Sequence, residues 1–264
     1  MRILNFLFSR SKQEQDKPIR DKLKTRKDFE RVLAEDLDIM ETTKARIDTA
    51  KNINLYMYRS LSYSYILILQ SKYSVDAKID ELRDIYIKSM YYFLQAFNKR
   101  NPIYADILNY VSLGVLLNIP DNNFRQLIDY VKQMDKQAKP SGWTPDLLLW
   151  FMLNSRLKEQ EKLKYAETLA YPRLYNGLYK VIQAPNAAAA KDALNKYLDR
   201  WYNLNSNAPW YNSHLKDNSY RGYWAWEVAA VAKIMHIDDS DLKNNQYYPY
   251  DMVHWADNET TAKE

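Results

Sequence analysis

Apolar residues recur along this chain at the spacing of an α-helix. The clearest example is residues 76–100, where six apolar positions follow one another at intervals of 3, 4, 4, 3 and 4 (Ile79, Leu82, Tyr86, Met90, Phe93 and Phe97). Such intervals place side chains on one helical face. Similar patterns, with their flanking caps and prolines, predict further helices at residues 23–48, 53–73, 103–118 and 123–138.

A Lys-Pro-Ser-Gly segment, residues 139–142, predicts a boundary between two halves of the chain, since proline and glycine interrupt regular structure. Helices are expected again beyond it. Thr144 would cap a helix with Pro145 at its first position, ending near residue 157. The helices predicted next are residues 165–183, broken or kinked at Pro172, and residues 187–202, followed by a polar loop over residues 203–218.

Residues 220–236 are apolar nearly all round, which predicts a helix in the middle of the protein. The pattern selects Tyr223, Trp224 and Val231 as core residues. Of the two tryptophans in this stretch, Trp224 is expected to contribute more to stability than Trp226, because it shares a row with further apolar residues.

The polar residues after this predicted helix indicate a change of structure. Asp-Asp-Ser-Asp, residues 238–241, is typical of the cap of a short helix. In Tyr-Tyr-Pro-Tyr-Asp, residues 247–251, Pro249 is expected to forbid further helix and to hold Tyr248 extended. We therefore expect a buried aromatic helix that leads into an acidic, tyrosine-rich rim.

These elements predict an all-α protein of two helical subdomains packed into one unit, with no significant sheet. A low glycine count of 4 in 264 residues also disfavours an all-β fold with many tight turns. The expected division is a leader at residues 1–18, an N-terminal helical domain at 19–138, a C-terminal helical domain at 143–256 and a polar tail at 257–264.

Charge is distributed unevenly along the chain. The formal net charge is +5, yet residues 210–264 carry 5 basic and 9 acidic side chains, a balance of −4. Cysteine is absent, which excludes a disulfide framework and thiolate metal sites. The apolar run in residues 1–8 is too short for a secretory signal, and residues 55–69 are too short and polar to span a bilayer. We expect a cytoplasmic protein without membrane contacts.

Three stretches near the C-terminus resemble a known family. The pattern Y-x-G-Y-W-A-W-E-x-A-A-x-A-K beginning at Tyr220, the I-D-D beginning at Ile237 and the Y-Y-P-Y-D beginning at Tyr247 are similar to the C-terminal domain of the PoNi immunity proteins. The stretch from Ile19 to Leu23 resembles the start of that family's N-terminal domain. The two resemblances cover residues 19–255.

The resemblance implies a function. PoNi proteins are cytoplasmic antitoxins that neutralise PoNe-type DNase toxins, which bacteria deliver through type VI and other secretion systems. It implies a cognate DNase toxin as the partner, no catalytic residues, no cofactor and no metal. Since a DNase carries a basic surface for phosphates, we expect recognition at the acidic rim, by Asp238, Asp239, Asp241, Tyr248, Tyr250 and Asp251.

Three patterns in the sequence admit an enzymatic interpretation beside a structural one. Glu227 lies among apolar rows, where it is either a general acid/base or, as we favour, a buried acid that binds tyrosine hydroxyls or an arginine. His236 beside three aspartates could indicate a metal, but no second histidine stands at i+3 or i+4, so a helix cap is favoured. Residues 160–162 (Gln-Glu-Lys) loosely match a nuclease pattern that requires a strand, whereas this stretch is helix-like. We therefore expect a protein that is not an enzyme.

A helical scaffold or nucleic-acid-binding protein is the alternative function. This alternative is suggested by a run of basic residues near the N-terminus: Arg20, Lys22, Lys24, Arg26, Lys27 and Arg31. Acidic residues are interleaved with them and would repel phosphates while forming i,i+4 pairs. A solvated helix face is therefore favoured, and direct contact with nucleic acid is not expected.

Overall fold

The computed structural model describes residues 17–96, 103–136, 143–216 and 219–255. Within these ranges the prediction of an all-α protein is confirmed, and the β pairing there is one isolated bridge between Asp146 and Thr168. The α-helices are α1 (Arg26–Thr49), α2 (Leu55–Val75), α3 (Ile79–Ala96), α4 (Tyr104–Leu116), α5 (Asp121–Lys136), α6 (Leu147–Asn154), α7 (Pro172–Ile182), α8 (Ala187–Leu204), α9 (Trp226–Met235) and α10 (Tyr250–His254).

The chain forms two compact helical units. Unit 1 consists of Met1–Asn98 together with Asn212–Tyr223, and unit 2 consists of Lys99–Tyr211 together with Trp224–Glu264. A short piece of the second half of the sequence thus belongs to the first unit. The boundary expected at residues 139–142 lies outside the described residues.

Unit 1 is built on α1, α2 and α3. Helix α1 begins with a capping box, in which Thr25 and Asp28 each accept from the other's backbone N–H. Its apolar stripe enters a core cluster that it shares with α2: Leu33, Met40, Leu61, Tyr65 and Ile68. The strong period of this stripe explains why the sequence alone located the helix to within about three residues.

Unit 2 has α9 at its centre. The run from Val228 to Ala232 is buried on every side, as expected of a helix without a solvated face. The last carbonyl of α4, that of Leu116, accepts from Lys233 Nζ at 3.1 Å and from Trp255 Nε1 at 2.8 Å. Helices α7 and α8 pack closely, because Gly177 leaves room for the ring of Tyr197.

The central helix is shorter than predicted. It begins at Trp226, not Tyr220, because residues 220–225 have no regular secondary structure. Gly222 has φ 106°, a conformation that suits glycine and ends any helix. The N–H of Ala225 then donates to the carbonyl of Tyr247 at 2.8 Å instead of joining a helical ladder.

Three predictions about helix starts were also wrong. Asp146, not Thr144, caps α6, since its Oδ1 accepts from the N–H of Leu149 at 2.8 Å. Pro172 does not kink a helix but opens α7. Pro249 likewise stands immediately before α10 and does not prevent it. A proline is compatible with the first turn of a helix because its missing N–H has no intrahelical partner there.

None of the helices described has the length and hydropathy needed to cross a bilayer.

Candidate functional site

The acidic rim predicted after α9 is only partly accessible. Asp238, Asp241 and Asp251 are exposed, and Tyr250 is half-buried with its ring 4.4 Å from that of His254. Asp239 and Tyr248 are both 2% exposed. The expectation that Pro249 would leave Tyr248 exposed is wrong, because α10 starts directly after the proline and the tyrosine is directed into unit 2.

Asp239 is an internal anchor of unit 2. Its Oδ2 accepts from the hydroxyl of Tyr248 at 2.7 Å, and its Oδ1 lies 2.7 Å from Nε2 of His254. A buried carboxylate requires such partners, since an unpaired one is strongly destabilising. Asp239 therefore holds the segment after α9 against α10, and it is not available to a partner.

Asp238 and Asp241, in the segment after α9, are exposed and are held in place by side chains of α8. Lys191 Nζ lies 2.9 Å from Asp238 and 3.1 Å from Asp241, and Asn195 donates to Asp241 at 2.9 Å. The hydrogen bond from Lys191 is the main cause of the lowered pKa of Asp238, and that from Asn195 is the main cause of the lowered pKa of Asp241. Both carboxylates stay ionised, with their negative charge partly balanced by Lys191.

Glu227 lies in the first turn of α9 and accepts from Trp201 Nε1 at 2.6 Å. Burial raises the pKa of its carboxyl to about 7, against the smaller opposing effects of its backbone and Trp201 hydrogen bonds. The favoured structural interpretation expected a tyrosine or arginine partner, whereas the structure supplies an indole. Nothing in the sequence marked Trp201, 26 positions earlier, as that donor.

The remaining predicted core residues are inside the molecule. Tyr223, Trp224 and Val231 are all buried. Tyr223 lies in unit 1, where its hydroxyl accepts from the N–H of His214 at 3.0 Å and lies 3.1 Å from Ser213 Oγ. The motif that begins at Tyr220 is therefore divided between the two units. Tyr220 and Tyr223 lie in unit 1, whereas Trp224 and Trp226 lie in unit 2.

Two buried acids in unit 1 were not singled out from the sequence. Asp36 forms a bidentate ion pair with Arg221, and Asp21 accepts from the hydroxyl of Tyr220. Burial raises the pKa of Asp21, and its hydrogen bonds oppose this rise. A signal for Asp36 existed, since it stands three residues after Leu33 and therefore in the phase of the apolar stripe of α1.

The basic N-terminal residues do not form a continuous solvated surface. Arg20 donates through Nη1 to the carbonyls of Tyr73 and Ala77. Arg26 is buried and pairs with Asp76 at 3.0 Å. These internal contacts argue against the alternative of a nucleic-acid-binding helix, because two of its six cations are already used inside unit 1.

The nuclease-like and metal-like patterns do not assemble into sites. Glu159–Glu161 is a 3-10 helix, in which Glu161 pairs with Arg125 at 3.0 Å. The strand that a nuclease pattern requires is not formed at this place. In the described ranges, no three histidine, aspartate or glutamate side chains are arranged to hold a metal ion.

Two models of one known protein family match this chain. A model described as the N-terminal part of PoNe immunity proteins (PoNi) matches residues 12–129, and a model described as their C-terminal part matches residues 144–252. This chain belongs to the PoNi immunity protein family. The resemblance inferred from the sequence is thereby confirmed.

The PoNi models and the compact units divide the chain at different places. The C-terminal model includes residues 212–223, which in space complete unit 1. The Y-x-G-Y motif of this PoNi chain, with its Tyr220–Asp21 and Arg221–Asp36 contacts, therefore belongs structurally to the unit formed mainly by the N-terminal half.

Among the solved structures that share the fold of this PoNi protein is one from Pseudomonas aeruginosa. It is described as "The Crystal Structure of Protein PA2201 from Pseudomonas aeruginosa", with a TM-score of 0.70 and 18% sequence identity over 97% of this chain and 95% of that one. At this identity the likeness concerns the fold alone. No curated protein sequence matches this chain.

Proposed function

We propose that this protein binds and neutralises a cognate secreted DNase toxin, and so protects the bacterium that makes both. The observation that carries the proposal is the match of two consecutive PoNe immunity protein models over residues 12–129 and 144–252. The site of action is the cytoplasm, where a DNase reaches the chromosome. A chain without cysteine suits that reducing compartment.

The inhibitor acts by occupancy and not by chemistry. A DNase presents cations to the phosphates of its substrate, so carboxylates held in fixed positions compete for the same cations. Asp238 and Asp241 support this role, because both are exposed and their positions are fixed by α8. Asp251 adds a third exposed carboxylate in unit 2, whereas Asp239 acts only as the internal support of this surface.

The experiment is a protection assay in cells. Candidate PoNe-type nuclease toxins from the genome that encodes this chain are induced one at a time with and without the full chain, and survival is scored together with the integrity of chromosomal DNA. Protection by the wild-type protein is the expected result. Death of the co-expressing cells, with both proteins present at equal level, would overturn the function.

A paired substitution tests the acidic surface. Asp238→Asn/Asp241→Asn removes the exposed charges and leaves Asp239 in place, so the internal anchor is kept. We expect a slower association with an inactive variant of the toxin at low salt and a weaker dependence of that rate on salt. Asp192→Asn, which changes an exposed acid of α8 itself, is the matched control. If the pair associates at the wild-type rate, recognition lies elsewhere.

A further inference from the structure

Four aromatic rings of unit 2 form one contiguous cluster at the end of α8. Tyr202 lies between Tyr211 and Tyr247, with ring centroids 4.5 Å and 5.3 Å away and interplanar angles of 29° and 5°. Trp210 lies 6.4 Å from Tyr202 and stacks on the buried Trp201 at 5.4 Å. The four rings other than Trp201 are half-buried, so part of each is accessible. We call Tyr202, Trp210, Tyr211 and Tyr247 the aromatic stack.

Backbone hydrogen bonds hold the aromatic stack in place. In the turn after α8, the N–H of Tyr211 donates to the carbonyl of Ala208 at 2.9 Å. Tyr247 is fixed through its N–H, which donates to Asn245 Oδ1 at 2.9 Å, and through its carbonyl, which accepts from Ala225 at 2.8 Å. Rings whose backbone is already fixed lose little conformational entropy when they contact a partner.

The segment after α9 runs along one side of α8 in the same direction and joins the stack to the exposed acids. Successive side-chain contacts between the two segments are Asp238–Lys191, Asp241–Asn195 and Tyr247–Tyr202. The α8 members of these pairs are four and seven positions apart, so they lie on one side of the helix. The helix rises about 16 Å from the first of them to the last. The two carboxylates and the aromatic stack therefore form one surface of unit 2.

Negative charge borders the aromatic stack. Lys191 lies within 3.1 Å of both Asp238 and Asp241, so its single positive charge balances only one of the two carboxylates. A third acid, Asp199, is exposed and stands three residues before Tyr202, one turn of α8 away. Carboxylates therefore extend from the acid pair to the edge of the stack.

The exposed bases of α8 lie on another side of the helix. At about 100° per residue, Lys196 and Arg200 are about 120° and 160° around the helix axis from Tyr202. Lys196 also pairs with Asp192 at 2.7 Å. Tyrosine and tryptophan rings bordered by carboxylates fit arginine side chains, since a guanidinium group stacks on the rings and pairs with the acids. The same carboxylates repel the phosphates of a nucleic acid.

We propose that the aromatic stack binds arginine side chains on the DNA-contacting surface of the cognate nuclease, with Asp199, Asp238 and Asp241 pairing with neighbouring cations. The inference rests on the proposed function and deepens it, because it names the residues that retain the toxin after the acids have attracted it. Charged residues at an interface mainly accelerate association, whereas well-packed aromatic residues slow dissociation. The toxin arginines engaged in this way are no longer available to DNA phosphates.

The test measures the association and dissociation rates of the purified full-length protein with an inactive variant of the PoNe-type toxin that the protection assay identifies. Tyr211→Ala/Tyr247→Ala should raise the dissociation rate at least about 10-fold and leave the association rate and its salt dependence unchanged. Tyr211→Phe/Tyr247→Phe keeps both rings and should dissociate at nearly the wild-type rate. Tyr171→Ala is the matched control, because this 45% exposed tyrosine of unit 2 lies against Tyr104 and not in the stack. It should bind as wild type.

Thermal unfolding followed by circular dichroism establishes that each variant is folded before its binding is measured. Tyr211 lies at one end of the row of three tyrosines, so Tyr211→Leu disturbs the packing least. It replaces the double alanine variant if that variant does not fold. The same direction of change, faster dissociation with unchanged association, is expected of it.

The outcomes separate the aromatic stack from the function. If the wild-type protein protects cells against none of the candidate toxins, the proposed function fails and this inference fails with it. If it protects but Tyr211→Ala/Tyr247→Ala dissociates at the wild-type rate, only the role of the stack is refuted. Equal losses in the alanine and phenylalanine variants would show that the hydroxyls and not the rings make the contact, which overturns arginine stacking.

Binding to a labelled single-stranded oligothymidylate distinguishes a toxin surface from a nucleic-acid surface, since bases also stack on aromatic side chains. We expect no binding of the wild-type protein to this probe. Binding that Tyr211→Ala/Tyr247→Ala abolishes, with the toxin rates unchanged, would assign the stack to nucleic acid and overturn the proposal.

Discussion

Arg221 and Asp36 are 185 positions apart in the chain and form a buried, bidentate ion pair, with Nε–Oδ2 at 2.5 Å and Nη2–Oδ1 at 2.8 Å. Both residues lie in unit 1, although the family models assign them to different halves of the protein. The carbonyl of Arg221 also accepts from Ser74 Oγ at 2.7 Å. These contacts fix the Asn212–Tyr223 segment onto α1 and α2.

Breaking this pair on one side should be strongly destabilising. Arg221→Met leaves Asp36 buried without its main cation, and we expect a loss of about 3–5 kcal/mol in the free energy of unfolding, measured by urea denaturation. The double variant Asp36→Leu/Arg221→Met removes both charges and should recover most of that loss. Equal stability of the single variant and wild type would contradict the burial of the pair.

Glu227 predicts a pH dependence of stability. Its folded pKa of about 7 lies above the ordinary value of 4.5, so between these values the folded state holds a proton that the unfolded state has released. The contribution of this bound proton to the free energy of unfolding is complete below pH 4.5. It falls as the pH rises to about 7, and above that pH it no longer changes. The total change is about 3 kcal/mol.

The variant Glu227→Gln isolates this effect, because the amide oxygen can still accept from Trp201. At pH 8 the variant should be more stable than wild type, by up to about 3 kcal/mol. At pH 4 the two proteins should be nearly equal, which serves as the internal control. Parallel stability curves from pH 4 to pH 8 would show that Glu227 does not titrate in this range.

Trp226, at the start of α9, should contribute more to stability than Trp224, which precedes the helix. This order is the reverse of the sequence-based expectation. Trp226 is 2% exposed and is among the largest fully buried side chains, whereas Trp224 is 6% exposed and precedes the helix. Replacing either by alanine should destabilise by about 3–5 kcal/mol. We expect Trp226→Ala to have the lower melting temperature, and a lower one for Trp224→Ala would support the original placement.

Neighbouring aspartates should respond very differently to substitution. Asp239→Asn weakens the buried contacts to Tyr248 and His254, so a loss of about 1–3 kcal/mol is expected. Asp238→Asn changes an exposed carboxylate and weakens its surface pair with Lys191, so only a small loss, well below that of Asp239→Asn, is expected. Thermal unfolding of the two variants side by side is sufficient, and a reversed order would contradict the assignment of Asp239 as the internal anchor.

Gly177 should not tolerate a larger residue. A Cβ at this position would lie 2.6 Å from Cδ2 of Tyr197, whose buried ring has little room to move. We expect Gly177→Ala to destabilise by about 1–3 kcal/mol, although alanine is the better helix former. Asn176→Ala, on the exposed side of the same helix, is the control and should be neutral or stabilising in urea denaturation.

Sequence reasoning located the helices because their signals are local. The apolar stripes of α1 and α3 depend on residues within a few turns of one another. The start of α9 was misplaced for a physical reason. Residues 220–225 are buried although they are not helical, so Tyr220, Tyr223 and Trp224 continue the apolar pattern without continuing the helix.

The candidate site was harder to predict because its contacts are distant in sequence. Lys191 binds Asp238 across 47 positions, and no local pattern indicates that pairing. Consecutive aspartates look equivalent in the sequence. Only the positions of Tyr248 and His254 show that Asp239 is internal while Asp238 is exposed. The family could be recognised from residues 220–251 because the motif there is distinctive as a linear sequence. Its tyrosines Tyr220 and Tyr223 nevertheless lie in a different unit from Trp224 and Trp226.

The contribution of Asn212–Tyr223 to unit 1 has a consequence during translation. The first part of this unit ends at Asn98, and the segment that completes it is synthesised only when Tyr223 has been added, about 125 residues later. At about 5–20 residues per second the delay is roughly 6–25 s. Throughout that interval Asp36 lacks its partner Arg221, because the segment that completes unit 1 has not yet been synthesised. Unit 1 therefore reaches its complete fold only after most of unit 2 has also been synthesised.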